Sequence, residues 1–313
     1  MKIMFMGTPD FAVVSLRALK DAGNEICAVV TMPDKPRGRG HKMAHTPVYE
    51  AASEYDIPVY TPENLKKETF EEILQKNNPE VIVVVAYGKI LPEYVLSYPK
   101  YGCINVHGSL LPKYRGAAPI QRSIIDGCKA TGVTTMYMEK GLDTGDMLLK
   151  EEVEITEEDN FETLHDKLAN IGANLIVKTL DALKCGTCTP QKQNDEESSY
   201  AHMITKETCL IDWSKEACII HNQIRGLSPF PKAFTYYNSK QMKILSSKTG
   251  EKKHSEEIGR VLEVTKDYFT VSCGNGTILE IHSIQPEGKK VMSVSDYLKG
   301  NSIDISTKLG VID

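Results

Sequence analysis

Apolar residues in the first half of the chain recur in short blocks that alternate with amphipathic stretches. The blocks at 2–7, 25–31 and 81–86 have apolar residues on both faces, which predicts buried strands. Helices are expected beside them, over about 10–22, 47–55 (with Thr46 as N-cap) and 63–77. Such strands, separated by helices, are typical of a parallel sheet covered on both sides.

The pattern continues to residue 184 and then changes. Strands are expected at 103–107, 131–139 and 147–154, and helices at about 117–126 and 160–184. Residues 185–206 are polar and rich in turn-forming residues, which predicts a linker. Five short β-patterned stretches follow and predict a small closed β barrel. The sequence thus indicates an α/β domain at 1–184 and a β domain at 207–313.

Composition narrows the class of protein. The 313 residues are 41% hydrophobic and 25% charged, which is ordinary for a soluble globular protein. No apolar run approaches the roughly 20 residues of a membrane-spanning helix, and the opening MKIMFMG does not read as a secretory signal. The eight cysteines are scattered, which favours free thiols in a reducing cytoplasm. Cys185 and Cys188 are spaced as C-x-x-C but lack the matching second pair of a zinc site.

Charge is unevenly divided along the chain. The net charge is −5, with −6 in residues 1–206 and +1 in residues 207–313. A nucleic acid would therefore have to be bound by local basic patches. Dinucleotide, P-loop and G-x-S-x-G signatures are absent, and Gly7 stands alone in the first strand-turn-helix.

The strand at 103–107 ends in an unusual set of polar residues. Asn105, His107 and Ser109 alternate, so on an extended chain they project to the same side. A carboxamide can hold a developing oxyanion while an imidazole holds or moves a proton, and this combination suits acyl transfer. The structural alternative is a polar strand end whose Asn caps a turn and whose His is only hydrogen-bonded.

Two loops carry further candidates. Asp143 lies between two glycines in GLDTGD and either bonds its own turn or reaches His107 and sets its tautomer. The loop at 33–45 is basic, and its Pro and Gly residues predict no regular element. It is either a solvated surface run or a phosphate-contacting loop.

These motifs together resemble the family of methionyl-tRNA formyltransferases, within the 10-formyltetrahydrofolate-dependent formyltransferases. The resemblance is carried by MGTPDFAV (6–13), PDKPRGRG (33–40), NVHGSLLPKYRGAAPI (105–120), GLDTGD (141–146), IDWSKEA (211–217) and IRGLSPFPKAF (224–234). It implies a Rossmann-like formyltransferase domain followed by a small OB-like β-barrel domain that binds tRNA. It also implies a reaction, in which a formyl group moves from 10-formyltetrahydrofolate to the α-amine of methionine on initiator tRNA for translation initiation.

The resemblance also implies which residues act. Asn105, His107 and Asp143 match the catalytic trio. The residues expected at the folate are Ser109, Leu110, Leu111, Pro112, Tyr87, Gly88 and Ile90. Those expected at the tRNA are Lys35, Arg37, Arg39 and Lys42, where Arg37 replaces the smaller residue of many relatives. No metal, membrane or obligatory protein partner is implied.

Two rival functions remain. Another formyltetrahydrofolate-dependent N-formyltransferase, acting on an amino sugar nucleotide or a glycinamide nucleotide, would keep the motifs at 105–112 and 141–146 but would not need the basic loop. A non-catalytic RNA-binding protein would use the β domain alone. The intact Asn-His-Asp set and the near-neutral charge of residues 207–313 argue against it.

Overall fold

The structure is a computed structural model that describes residues 1–37, 42–250 and 254–311. Up to residue 116 its elements are, in chain order, β1 (Lys2–Gly7), α1 (Asp10–Asp21), β2 (Glu25–Val30), β3 (Lys35–Arg37), β4 (Lys42–Ala44), α2 (Pro47–Ser53), β5 (Val59–Tyr60), α3 (Lys67–Asn77), β6 (Val81–Val85), α4 (Glu93–Leu96), β7 (Cys103–His107) and β8 (Arg115–Gly116).

After residue 116, helices and strands continue to alternate, and the last part of the chain is mainly strands. They are α5 (Pro119–Ile125), β9 (Ala130–Tyr137), β10 (Met147–Glu154), α6 (Phe161–Cys185), a 3₁₀ turn (Asp195–Glu197), β11 (Tyr200–Ala201), α7 (Lys206–Cys209), α8 (Ala217–Gly226), β12 (Ala233–Tyr237), β13 (Lys240–Gly250), β14 (Val261–Val264), β15 (Phe269–Ser272), a 3₁₀ turn (Gly274–Gly276), β16 (Ile278–Pro286), β17 (Met292–Ser293) and α9 (Val294–Leu298).

The predicted parallel sheet is present and has seven strands in the order β10-β9-β7-β6-β1-β2-β5. The pairs from β7 to β5 are parallel, whereas β9 runs antiparallel to β7. Every residue of β6 is buried, as its unbroken apolar run predicts for a strand covered on both faces. The strand order reverses around β1, so the carboxyl ends of β1, β6 and β7 are the edge where such sheets bind ligands.

Local sequence explains how the helices begin and pack. Thr46 caps α2 as predicted, because its hydroxyl accepts a hydrogen bond from the Tyr49 N–H at 3.1 Å and Pro47 follows at the first helical position. In α6, a Cβ on Gly172 would lie 2.8 Å from Val106 Cγ1. This glycine therefore lets α6 lie close against β7, the strand that carries Asn105 and His107.

The second sheet is antiparallel and has six strands. Its order is β12-β13-β16-β15-β14, with β17 also paired to β16. A buried cluster that includes Trp213, Ile244 and Phe269 forms its core. The Trp213 Nε1–H donates to the Thr235 hydroxyl at 2.9 Å, so the one polar group of this buried indole is satisfied. Among the described strands β12 and β14 are not paired with each other, and barrel closure stays a prediction.

The chain divides into two compact units that interleave in sequence. The first holds residues 1–116, 131–153 and 165–200, and the second holds residues 117–130, 154–164 and those from 201 onward. The domain boundaries expected from composition, with a linker at 185–206, stay a prediction.

Candidate active site

Asn105 and His107 lie at the carboxyl end of β7, in the middle of the seven-stranded sheet. Asn105 pairs with Val84 of β6 on one side and with Met136 of β9 on the other. Its side chain is half-buried, and among the described residues its carboxamide has no hydrogen-bond partner. The two N–H groups of this amide are therefore available to a ligand.

His107 is held from two sides. Its side chain is 7% exposed, and its Nε2 lies 2.9 Å from the carbonyl oxygen of Tyr114. Its Nδ1 lies 3.6 Å from Oδ2 of Asp143. A carbonyl only accepts hydrogen bonds, so the proton on Nε2 is donated to Tyr114, and Nδ1 faces the carboxylate of Asp143.

Asp143 reaches His107 from a loop between β9 and β10. Its carboxylate accepts a hydrogen bond from the Gly116 N–H at 2.8 Å, and its side chain is 14% exposed. The backbone at Asp143 has φ of +54°, a left-handed conformation that few non-glycine residues adopt. The structure thus brings together all three predicted catalytic residues, although Asp143 is far from the others in sequence.

The predicted folate segment folds into a tight turn behind His107. Ser109 is fully buried, and its hydroxyl donates to the Lys113 carbonyl at 2.6 Å. Leu111 is also buried, whereas Leu110 and Pro112 are partly exposed. The Ser109 hydroxyl is therefore used within the turn, and the partly exposed members present surface to a ligand.

Thr134 of β9 supports this turn and was not found by sequence reasoning. Its buried hydroxyl donates to the Ser109 carbonyl at 2.7 Å and accepts from the Leu111 N–H at 3.1 Å. A threonine inside a strand has no distinctive pattern, and its role depends on the antiparallel pairing of β9 with β7.

Tyr87, Gly88 and Ile90 follow β6 and face different surroundings. Tyr87 is buried, its carbonyl accepts from the Thr8 hydroxyl at 2.9 Å, and its own hydroxyl has no partner among the described residues. Burial raises the pKa of Tyr87 to about 12. Gly88 has φ of +91°, and the Ile90 side chain is 88% exposed beside a cavity of about 840 Å³ that Lys66 and Tyr94 also line.

Lys89 ties this loop to a neighbouring one. Its ammonium group donates to the carbonyl oxygens of Pro62 and Glu63 at 2.8 and 2.6 Å. Burial lowers the pKa of Lys89. These bonds leave Ile90 at the exposed tip between two connected loops.

The basic loop is more regular than expected. Its flanks form a short antiparallel ribbon in which Lys35 pairs with Ala44 and Arg37 pairs with Lys42. The prediction that proline and glycine exclude a regular element was wrong there, because Pro36 fits a two-stranded ribbon with an unpaired edge. Lys35 is exposed, and Arg39 lies outside the described residues.

Two further residues were missed by sequence reasoning. Arg115, only 2% exposed, lies three residues after the predicted folate segment and donates to the side chains of Gln193 and Asp195. Gln193 contacts the Asp143 loop from fifty positions away in the chain, and nothing in the sequence pattern pairs the two. The only available signal was the motif KYRG, which places Arg115 beside the turn.

Two features are absent from residues 1–37, 42–250 and 254–311, namely a cluster of metal ligands and a membrane-spanning helix. In these ranges no group of three or more His, Cys, Asp or Glu side chains is arranged to hold a metal ion. Cys185 and Cys188 are both free thiols. No helix in the described part of the chain is long and apolar enough to cross a membrane.

Comparisons with protein families match both halves of the chain. A sequence model described as "Formyl transferase" matches residues 1–180, and one described as "Formyl transferase, C-terminal domain" matches residues 203–302. The methionyl-tRNA formyltransferase of Caldanaerobacter subterraneus subsp. tengcongensis is 53% identical, covering 99% of this chain and 100% of that protein. The Clostridioides difficile protein of the same name is 49% identical, with the same coverage.

Solved structures share the fold at lower identity. WlaRD, described as a sugar 3N-formyl transferase in the presence of dTDP and 5-N-formyl-THF, superposes with a TM-score of 0.66 at 21% identity. The match covers 93% of this chain and 99% of that one. At this identity the likeness shows the fold alone.

Proposed function

This chain belongs to the formyl transferase family, and we propose that it carries a formyl group from 10-formyltetrahydrofolate to methionyl initiator tRNA. The acceptor is the α-amine of the methionine, and the product is N-formylmethionyl-tRNA for translation initiation. The observation that carries the proposal is the identity of about half of all residues, over the whole chain, with methionyl-tRNA formyltransferases.

The geometry at β7 fits the chemistry of formyl transfer. The amine nitrogen attacks the formyl carbon, a C–N bond forms, and the carbonyl oxygen becomes an oxyanion. The unpartnered amide of Asn105 is placed to donate hydrogen bonds to that oxyanion. Collapse of the intermediate breaks the bond to the N10 nitrogen of the folate, which takes up the proton that the amine loses.

We assign His107 to the same step, as the residue that stabilises the developing charge and assists proton transfer. With Nε2 bonded to the Tyr114 carbonyl and Nδ1 facing the Asp143 carboxylate, the imidazole is fixed in orientation. Because its side chain is only 7% exposed, the interaction of this ring with the developing charge is little screened by water. For His107 to pass a proton as well, one of these two contacts must be exchanged for a substrate atom.

The remaining predicted residues divide between the two substrates. We assign the turn at 109–112 and the loop at 87–90 to the folate, because both lie beside the carboxyl ends of β6 and β7. We assign the basic loop at 33–45 to the tRNA, since four cations in one loop suit a polyphosphate backbone.

The direct test is transfer of label from 10-formyltetrahydrofolate labelled in its formyl carbon. Initiator and elongator methionyl-tRNA and an amino sugar nucleotide are offered separately as acceptors. We expect label on initiator methionyl-tRNA. Transfer only to the sugar nucleotide would establish the rival reaction, and transfer to none of the three would overturn formyl transfer itself.

A second test isolates the tRNA assignment. Arg39→Ala should lower kcat/KM for charged tRNA and leave KM for the folate unchanged. Arg17→Ala is the matched control, because Arg17 is an exposed arginine that pairs with Glu54 on a different surface element. Equal kcat/KM in the two variants would argue against the basic loop as a tRNA contact.

A further inference from the structure

Residues 191–199, which we call the clamp segment, contact both loops that face His107. The Gln193 amide donates to the carbonyl oxygens of Asp143 and Gly145, each at 2.8 Å. At the other end, the Ser199 hydroxyl and carbonyl accept from the N–H groups of Tyr114 and Arg115, at 2.9 and 2.8 Å. The clamp segment thus binds both residues that face His107, namely Asp143, which faces it with its carboxylate, and Tyr114, which faces it with its carbonyl.

Gln193 is itself fixed by a buried arginine. Arg115 Nε donates to Gln193 Oε1 at 3.0 Å, and Arg115 Nη2 donates to Asp195 Oδ1 at 2.7 Å. Because the guanidinium can only donate, the Gln193 oxygen must point toward it and the amide nitrogen toward the Asp143 loop. Both N–H groups and the oxygen of Gln193 are therefore used, and its orientation is determined.

The Asp143 loop needs this support because it is bent tightly. Asp143 has a left-handed backbone, which costs of the order of 1 kcal/mol for a residue with a Cβ. A Cβ at Gly145 would lie 1.9 Å from the Tyr137 carbonyl, so the chain passes very close to β9 there. The two carbonyls that Gln193 binds flank this bend, and their position decides where the Asp143 carboxylate lies.

We infer that Gln193 is a positioning residue for formyl transfer, which holds Asp143 against His107 without touching either substrate. This inference rests on the proposed function. It predicts that losing the amide of Gln193 displaces the carboxylate and slows the chemical step, because a displacement of about 1 Å can cost about 10²-fold in rate. Substrate binding should change little, since no predicted folate or tRNA residue bonds to Gln193 within the described chain.

Two variants separate hydrogen-bond donation from packing. Gln193→Met keeps the length of the side chain and removes every polar contact. Gln193→Glu keeps an oxygen for Arg115 and cannot donate to the two carbonyls, so it still tests the inference if the methionine variant folds poorly. The control is Gln191→Met in the same segment, where the backbone pairs with Met147 and the side chain is exposed.

The measurement is kcat and KM for both substrates, with thermal unfolding as a check on folding. We expect both Gln193 variants to lower kcat by about 10²-fold, with KM changed by less than about threefold and Gln191→Met behaving as wild type. In an Asp143→Asn background, Gln193→Met should add less than about threefold, because the two residues act through one group.

The outcomes distinguish this inference from the proposed function. If the wild-type chain and Gln191→Met formylate no charged tRNA, the proposed function fails. If they do and both Gln193 variants retain wild-type kcat, the positioning role is wrong. It is also wrong if Gln193→Met costs as much in the Asp143→Asn background as in wild type, since a purely structural effect would be independent of Asp143.

Discussion

Arg115 and Arg225 are both buried, but they are held by different kinds of partner. Arg115, in the first unit, donates to the side chains of Gln193 and Asp195, and Gln193 passes the constraint on to the Asp143 loop. Arg225, in the second unit, donates to the carbonyl oxygens of Thr156 and Asp159 and to the Asn222 side chain. Burial lowers the pKa of Arg225, with nearby Glu157 and Asp159 opposing that shift.

The difference shows that a buried charged side chain can either fix the position of other side chains or stabilise the fold. The hydrogen bonds of Arg115 continue through Gln193 to the loop of Asp143, whose carboxylate faces His107, so a change there should alter the arrangement of the proposed catalytic residues. The partners of Arg225 are a turn at 156–159 and the helix α8 that carries it, and none of them bonds to a predicted catalytic residue. Substitutions around Arg115 should therefore lower mainly kcat, whereas substitutions around Arg225 should lower mainly the free energy of unfolding.

The largest effect on kcat is expected at Asn105, which lies in the first unit, as Arg115 does. Asn105→Ala removes the proposed donor to the oxyanion, and loss of one such donor typically lowers kcat by about 10²–10³-fold. Its thermal stability should be nearly unchanged, because the Asn105 amide has no partner among the described residues to lose. Single-turnover kinetics and thermal unfolding measure both; wild-type kcat would remove Asn105 from the catalytic set.

Arg225→Met should have the opposite result, with a loss of stability and little change in kcat. It leaves the two carbonyls and Asn222 without their donor, and each unsatisfied buried group costs about 1–3 kcal/mol, so urea unfolding should lose several kcal/mol. We expect kcat to stay within about twofold of wild type, since no reacting group moves. A large fall in kcat with unchanged stability would show that the two buried arginines do not differ in this way.

A smaller effect should appear at Thr134, which pairs with His107 across the sheet and supports the turn at 109–112 that we assign to the folate. Thr134→Val leaves the Ser109 carbonyl and the Leu111 N–H unpaired. A cost of about 1.4 kcal/mol in ordering the turn would raise KM for the folate about tenfold. Thr134→Ser keeps the hydroxyl and is the control; if both variants bind folate equally well, the hydroxyl does not order the turn.

The smallest effect concerns pH and the helix that carries Arg225. Burial and the charge of Arg225 lower the pKa of His221, so the unfolded chain binds this proton at a higher pH than the folded chain does. Stability is full above the unfolded pKa of about 6.5 and should decline as the pH falls below it. Urea unfolding at pH 7.5 and 5.5 should show a smaller decline for His221→Gln than for wild type; an equal decline would contradict this.

Much of the fold could be read from the sequence where one pattern dominated. The apolar run of β6, the Thr46 cap of α2 and the strand at Cys103–His107 all appear where expected, because burial and capping act on neighbouring residues. The ribbon in the basic loop was missed. Its pairing depends on two short flanks meeting across a turn, which local composition does not reveal.

The catalytic candidates show which features local sequence predicts and which depend on contacts between distant segments. Alternation along one strand was enough to place Asn105 and His107 together, because successive side chains in a strand take opposite faces. Asp143 could only be offered with two alternatives, and Gln193, Arg115 and Thr134 were not offered as candidates at all. Their roles come from hydrogen bonds between segments 25 to 80 positions apart, and such contacts exist only once the strands have paired.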